Sequence, residues 1–116
     1  MIGIDIEDIA RFERLLEKKP SVIRRIFTPY EWDYSATKKA PQTLAGIWCA
    51  KEAVVKAFSS VRSLDIKNVY INHYSNGAPY VFKIIDFDFI TNYDVNISIS
   101  HDKKNAIAIC MITIKK

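Results

Sequence analysis

The chain has 116 residues, 49% hydrophobic and 26% charged, and its 17 basic and 13 acidic residues give a net charge of +4. That length suits one domain with a real core, and the composition is ordinary for a soluble globular protein. No apolar run approaches the roughly 20 residues of a membrane span, and the opening MIGIDIED is acidic, without the basic start of a signal peptide, so the cytoplasm is the expected compartment.

Met1 to Ile6 reads as a short buried strand, with Ile2, Ile4 and Ile6 alternating against Gly3 and Asp5. Asp5 then stands near the strand end, opposite the isoleucine face. A helix is expected from about Glu7 to Lys19, with Glu7 and Asp8 in its first turn, where the helix dipole favours negative charge. Ile9, Phe12, Leu15 and Leu16 form its apolar stripe, Arg11, Arg14 and Lys18 lie on another face, and Pro20 ends it. Ser21 is a plausible N-cap for a short helical piece through Phe27. Thr28-Pro29 restarts the chain, with Thr as N-cap, Pro at the first helical position and Glu31 in the first turn of a helix reaching about Thr37. Lys38 to Gln42 is a polar link.

The longest helix starts near Pro41 or Gln42 and ends near Phe58 or Ser60. Its second half, Trp48 to Phe58, reads WCAKEAVVKAF, apolar except for Lys51, Glu52 and Lys56. At about 100° per residue, Glu52 and Lys56 share a face one turn apart and Lys51 sits about 100° from Glu52. Taken alone, Glu52 and Lys56 read as an ion pair at helical spacing on a buried helix. Cys49 and Cys110 lie in apolar runs and read as reduced core residues, not as a disulfide or a metal pair.

Beyond Ser60 the pattern becomes strand-like. Asn68 to Tyr74 and Tyr80 to Ile85 form a hairpin about the turn Ser75-Asn76-Gly77. Asp86 to Tyr93 fits either an extended strand or a short helix. Asp94 to Ser100 alternates cleanly, and Ala106 to Ile114, apolar on both faces, reads as a central strand. Helices first and strands later give one α+β domain over residues 1–116, an antiparallel sheet packed against a long central helix.

Six basic residues between Arg11 and Arg25 (Arg11, Arg14, Lys18, Lys19, Arg24, Arg25) face only Glu13 and Glu17. A cluster of this kind alone reads as a solvated helix face, or as a surface for an acidic partner. A nucleic-acid-binding domain would need exposed aromatics between the basic residues, which this helix lacks. Asp5 and Glu52 are carboxylates far apart in sequence; with phosphate oxygens and water they would suit Mg²⁺, with Lys56 as a point charge on the same phosphates and Ser59 and Ser60 as hydroxyl donors. His101 ends the strand SISHD, while His73, mid-strand among tyrosines, reads as structural.

In this order, GIDIEDIARFE, RRIFTPYEW, WCAKEAVVKAF, the turn NGAPYV and SISHDKKNAIAI resemble the holo-acyl-carrier-protein synthase family, the short 4′-phosphopantetheinyl transferases. The resemblance covers most of the chain and implies that fold. It also implies Mg²⁺-dependent transfer of 4′-phosphopantetheine from coenzyme A to a serine of apo acyl carrier protein, with release of adenosine 3′,5′-bisphosphate, a step belonging to fatty acid biosynthesis. By resemblance Asp5 and Glu52 hold the metal, and Lys56 holds the phosphates and neutralises the leaving group. Glu52, acting through a metal-bound water, is the candidate general base. Ser59, Ser60, Asn76, Gly77, Pro79, Tyr80 and His101 would contact coenzyme A. The hairpin and His101 would come from the neighbouring chain of a homotrimer. Arg11, Arg14, Lys18, Arg24 and Arg25 would dock the acyl carrier protein; neither nucleic acid nor membrane is an expected partner. The chain departs from the family at Ile47, where an arginine is usual, at Ala78 for the turn lysine, at Ser59 for a glycine, and at Asp102 for a serine or threonine. Ile47, Ala78 and Asp102 motivate a second reading, a catalytically weak or inactive protein of the same fold that binds acyl carrier protein.

Overall fold

The computed structural model describes residues 1–116. In chain order the elements are β1 (Ile2–Asp8), α1 (Ile9–Lys18), α2 (Pro20–Arg24), α3 (Pro29–Ala36) and α4 (Ala40–Phe58). A 3₁₀ turn (Ile66–Asn68) then leads into β2 (Val69–His73), β3 (Pro79–Ile84), β4 (Tyr93–His101) and β5 (Asn105–Ile114). Antiparallel pairing makes a three-stranded sheet, β1-β5-β4, and a separate hairpin, β2-β3. The long helix α4 lies across one face of the three-stranded sheet and supplies much of the core, including Leu44, Ile47, Cys49, Val54 and Phe58. The α+β architecture with a long helix on an antiparallel sheet is the one expected from the order of the sequence patterns.

Local chemistry accounts for the boundaries. Pairing of β1 with β5 runs through Asp8, opposite Asn105, so Glu7 stays in the strand. Asp8 is the N-cap of α1, its carboxylate accepting from the Arg11 N–H at 2.9 Å. The helix therefore starts two residues later than expected, at Ile9 instead of Glu7. Pro20 stands at the first position of α2, which Lys19 precedes without a side-chain cap; Ser21 is inside that helix, not its cap. Thr28 caps α3, as expected, and Glu31 in its first turn closes a capping box with it. Gly77 takes a φ of 88° in the hairpin turn, and Asn76 Oδ1 accepts from the Ala78 N–H at 2.9 Å. Asp86 to Asn92 forms neither strand nor helix; Phe87 and Phe89 fold back onto Phe58 instead, with Phe87 at 5.1 Å between ring centroids.

The first strand is inverted relative to its expected orientation. Ile2, Ile4 and Ile6 are 61%, 55% and 61% exposed, and Gly3 and Asp5 face α4. The helix approaches so closely that a Cβ on Gly3 would lie 2.1 Å from the Ala53 carbonyl oxygen and 2.7 Å from the Ala57 nitrogen. Glycine at position 3, with Ala53 and Ala57 opposite, permits this contact. Gly3→Ala is expected to cost about 3 kcal/mol, because neither backbone can yield without opening the sheet–helix seam, and to lower Tm by roughly 10 °C. Thermal unfolding followed by circular dichroism measures it.

The same register leaves an apolar outer face. Side by side across the sheet stand Ile2, Met111 and Asn96, then Ile4, Ile109 and Ser98, then Ile6, Ile107 and Ser100. β5 is central, as expected, but only Ala106, Ala108, Cys110 and Ile112 are buried; Ile107, Ile109 and Met111 are open on the other side.

Candidate functional site

Asp5 reaches the helix side of β1 because strand residues alternate, and Glu52 and Lys56 reach the strand side of α4 because they stand one turn apart. Close packing at Gly3 brings the two elements together. Lys56 Nζ donates to Asp5 Oδ1 at 3.0 Å and to the Ile4 carbonyl at 3.0 Å. The ion pair expected within the helix, Glu52 with Lys56, does not form; Lys56 pairs with the strand, and Glu52 makes no ion pair in the chain. Burial raises the Glu52 pKa above the usual carboxylate range, the charges of Asp5 and Glu7 add to the rise, and Lys56 opposes it. A half-buried carboxylate whose charge is disfavoured by its neighbours, edged by an ammonium, suits a divalent cation and a phosphorylated ligand. Asp5 and Glu52 thus have the chemistry to hold a metal.

The buried ion pair of α4 involves Lys51 instead. Its Nζ lies 2.8 Å from Glu31 Oε1 and donates to the Val69 carbonyl at 2.6 Å, with both side chains fully buried. Glu31 also accepts from the N–H groups of Thr28 and Ile71. Burial lowers the Lys51 pKa, and Glu31 opposes the shift. Every polar atom of the pair has a partner, so it joins α3, α4 and β2 and is not a reactive group. Sequence reasoning gave Lys51 no partner, because Glu31 lies twenty residues away on another helix.

A cavity of about 660 Å³ opens at the other end of α4. Gly77 and Pro79 of the hairpin and His101 of β4 line it, three of the residues expected at the nucleotide. Asn76 and Tyr80 are not among its lining residues; Asn76 is engaged in its own turn and Tyr80 stacks on Tyr74 at 4.3 Å. Ser59 Oγ donates back to the Lys56 carbonyl and Ser60 Oγ rests on Met1 Sδ, so in this arrangement neither hydroxyl is directed at the Asp5–Lys56 pair. Ile47 lines the cavity. Asp102 is held by its own turn: its Oδ1 accepts from the N–H groups of Asn105 and Lys104 at 2.8 Å each, which hold its pKa below the usual range.

The cavity wall also contains residues that sequence reasoning did not select: Tyr34, Lys38, Lys39 and His73. His73 stacks on Tyr34 at 3.7 Å, and Lys38 lies over the Tyr34 ring at 5.9 Å. Burial, then the charge of Lys38, lowers the His73 pKa, which favours the neutral ring. The one available signal was the Lys38-Lys39 doublet directly before a long helix, whose N-terminus attracts anions. Along α1 and α2, Arg14, Lys18, Arg24 and Arg25 are exposed and free of ion pairs, while Arg11 is engaged by Glu7 at 2.9 Å.

Residues 1–110 match the family model of the 4′-phosphopantetheinyl transferase superfamily, and the chain belongs to that superfamily. Within it, the holo-[acyl-carrier-protein] synthase of Clostridium kluyveri is 35% identical over 99% of this chain and 90% of its own length. That of Nitratiruptor is 38% identical over 97% of both. The crystal structure of Helicobacter pylori holo-[acyl-carrier-protein] synthase in complex with coenzyme A superposes with a TM-score of 0.83 at 30% identity, covering 97% of this chain and all of that one.

Proposed function

We propose that this chain, acting as one domain, transfers the 4′-phosphopantetheine group of coenzyme A to a serine of apo acyl carrier protein and releases adenosine 3′,5′-bisphosphate. The observation that carries the reading is the convergence of Asp5, Glu52 and Lys56 across the β1–α4 seam, supported by relatives that are holo-[acyl-carrier-protein] synthases over nearly their full length. Asp5 and Glu52 would hold Mg²⁺, which when bound would neutralise charge on the pyrophosphate as a Lewis acid. Lys56 would contribute a point charge to the same phosphates, and Glu52 would serve as the general base for the serine proton. The basic face of Arg14, Lys18, Arg24 and Arg25 would dock the acidic carrier, with Arg11 shared with Glu7, in a contact that salt weakens.

The cavity and the carboxylates lie on opposite sides of one helix. Thr43, in the cavity wall, and Glu52 are about 13 Å apart along the axis and about half a turn around it. One chain therefore offers two half-sites, and the uncovered rows of Ile2, Ile4, Ile6, Ile107, Ile109 and Met111 offer a face on which copies would associate. A homotrimer would join the hairpin and His101 of one copy to Asp5, Glu52 and Lys56 of the next. No helix is long and apolar enough to cross a membrane, and the cytoplasm, where coenzyme A and carrier meet, is the proposed compartment.

Ile47 and Ala78 remove two cations that relatives of this type usually carry. Lys38 and Lys39 stand in the same cavity wall and restore positive charge there, and Asp102 is consumed by its turn. The transferase reading is therefore favoured over an inactive carrier-binding protein. Incubating the chain with apo carrier, coenzyme A and Mg²⁺ should add the mass of one phosphopantetheine to the carrier in a mass spectrum. A carrier that binds but keeps its mass would establish the inactive reading.

A further inference from the structure

Lys56 has a choice of carboxylates. Glu52 stands one turn before it on α4, yet the ammonium crosses to β1 and spends two of its donors there, on Asp5 Oδ1 and the Ile4 carbonyl, each at 3.0 Å. Asp5 is the fixed partner: its side chain is 16% exposed, and its strand is clamped between β5 and the backbone of α4. Lys56 is the movable one, 52% exposed on a flexible four-carbon stem. A divalent cation of the magnesium type binds a carboxylate oxygen at about 2.1 Å. It would thus stand within a few ångströms of an ammonium held on the same carboxylate, and like charges at that range repel strongly in a partly buried site. The repulsion falls when the ammonium leaves Asp5 for another anion. A pyrophosphate supplies that anion.

We propose that Lys56 is a gate on Asp5: it holds the carboxylate against a lone divalent cation and yields it when the phosphates of the donor arrive, so that cation and donor enter as coupled ligands. The role rests on the reading of Asp5 and Glu52 as the metal ligands. It predicts an effect opposite to that of a residue whose only work is to bind phosphate, because removing the lysine should improve cation binding to the chain alone. By linkage, the cation must tighten donor binding by the same factor by which the donor tightens cation binding.

The test is a titration of the full chain with Mn²⁺, following the free ion by electron paramagnetic resonance, with and without coenzyme A and with no carrier present. Wild type should bind Mn²⁺ weakly alone and about tenfold or more tightly with coenzyme A, within the usual range for coupled sites. Lys56→Met should bind Mn²⁺ alone about tenfold more tightly than wild type, and coenzyme A should add little. Lys56→Arg, which keeps the charge, should stay near wild type. Asp5→Asn in the Lys56→Met background should cancel the gain. Circular dichroism checks each fold, and Lys56→Gln replaces the methionine variant should that one fail to fold. Equal or weaker Mn²⁺ binding by the neutral variant than by wild type, without coenzyme A, overturns the gate and leaves the transferase reading intact. Failure of every variant to bind Mn²⁺, with or without coenzyme A, overturns the metal site and the gate together. A wild-type chain that shows the coupling yet never changes the carrier mass overturns the transferase reading and leaves the gate standing.

Discussion

Glu52→Gln is expected to abolish transfer to the carrier while leaving the fold intact. Even the outer partners of metal ligands cost about 10- to 100-fold when removed, so loss of the carboxylate itself should exceed about a hundredfold in kcat/KM. The amide keeps the size of the side chain but loses the charge that a cation needs. Stability should stay level or rise slightly, because burial and the neighbouring Asp5 and Glu7 already disfavour the Glu52 carboxylate in the folded chain. A coupled assay of carrier modification measures the first effect and urea unfolding the second. Full activity in this variant would remove Glu52 from the site.

Lys51→Met should show the reverse pattern, with a large loss of stability at a residue one position away. The Lys51 ammonium is the counter-charge for Glu31, and both are cut off from solvent. Removing it strands a buried carboxylate, at an expected cost of about 3–5 kcal/mol. The N–H groups of Thr28 and Ile71 still serve Glu31, which places the cost toward the lower end. Glu31→Gln combined with Lys51→Met should recover part of the loss, since no charge is then left unpaired. Urea unfolding of the two single variants and the double variant yields the coupling directly. Two adjacent charges on one helix would thus divide the work, Lys51 holding the core together and Glu52 serving the proposed metal site.

Part of the arrangement was legible in the sequence. Glu52 and Lys56 stood out as charges in an otherwise apolar helix, and helical spacing placed them on one face, whereas Asp5 stood in an acidic stretch and acquired a meaning only beside them. The hairpin turn at Asn76-Gly77 and the Thr28 cap of α3 follow from neighbouring residues alone, so local rules found them. Lys56 was paired with the wrong carboxylate because spacing along a helix counts only partners on that helix, and Asp5 arrives from a strand fifty-one residues away. Lys38, Lys39, Tyr34 and His73 were passed over because they become neighbours only when the α3–α4 link and the hairpin close one cavity.

The isoleucines of β1 show where local pattern ends. Alternation correctly identifies a strand with two unlike faces, yet it cannot say which face meets the helix. Gly3 decides, because only a residue without a Cβ lets α4 come this close.

By itself the sequence determined the class of fold, the order of its elements, the charged residues of the central helix and the family resemblance. All of these depend on residue type and on spacing within one element or one motif. Only the tertiary structure decided which carboxylate Lys56 holds, which lysine is buried, which sheet face stays open and which residues wall the cavity. Those depend on which distant segments meet and how closely: Gly3, Ala53 and Ala57 set the distance at the β1–α4 seam, Glu31 of α3 and Val69 of β2 enclose Lys51, and the α3–α4 link and the hairpin wall the cavity.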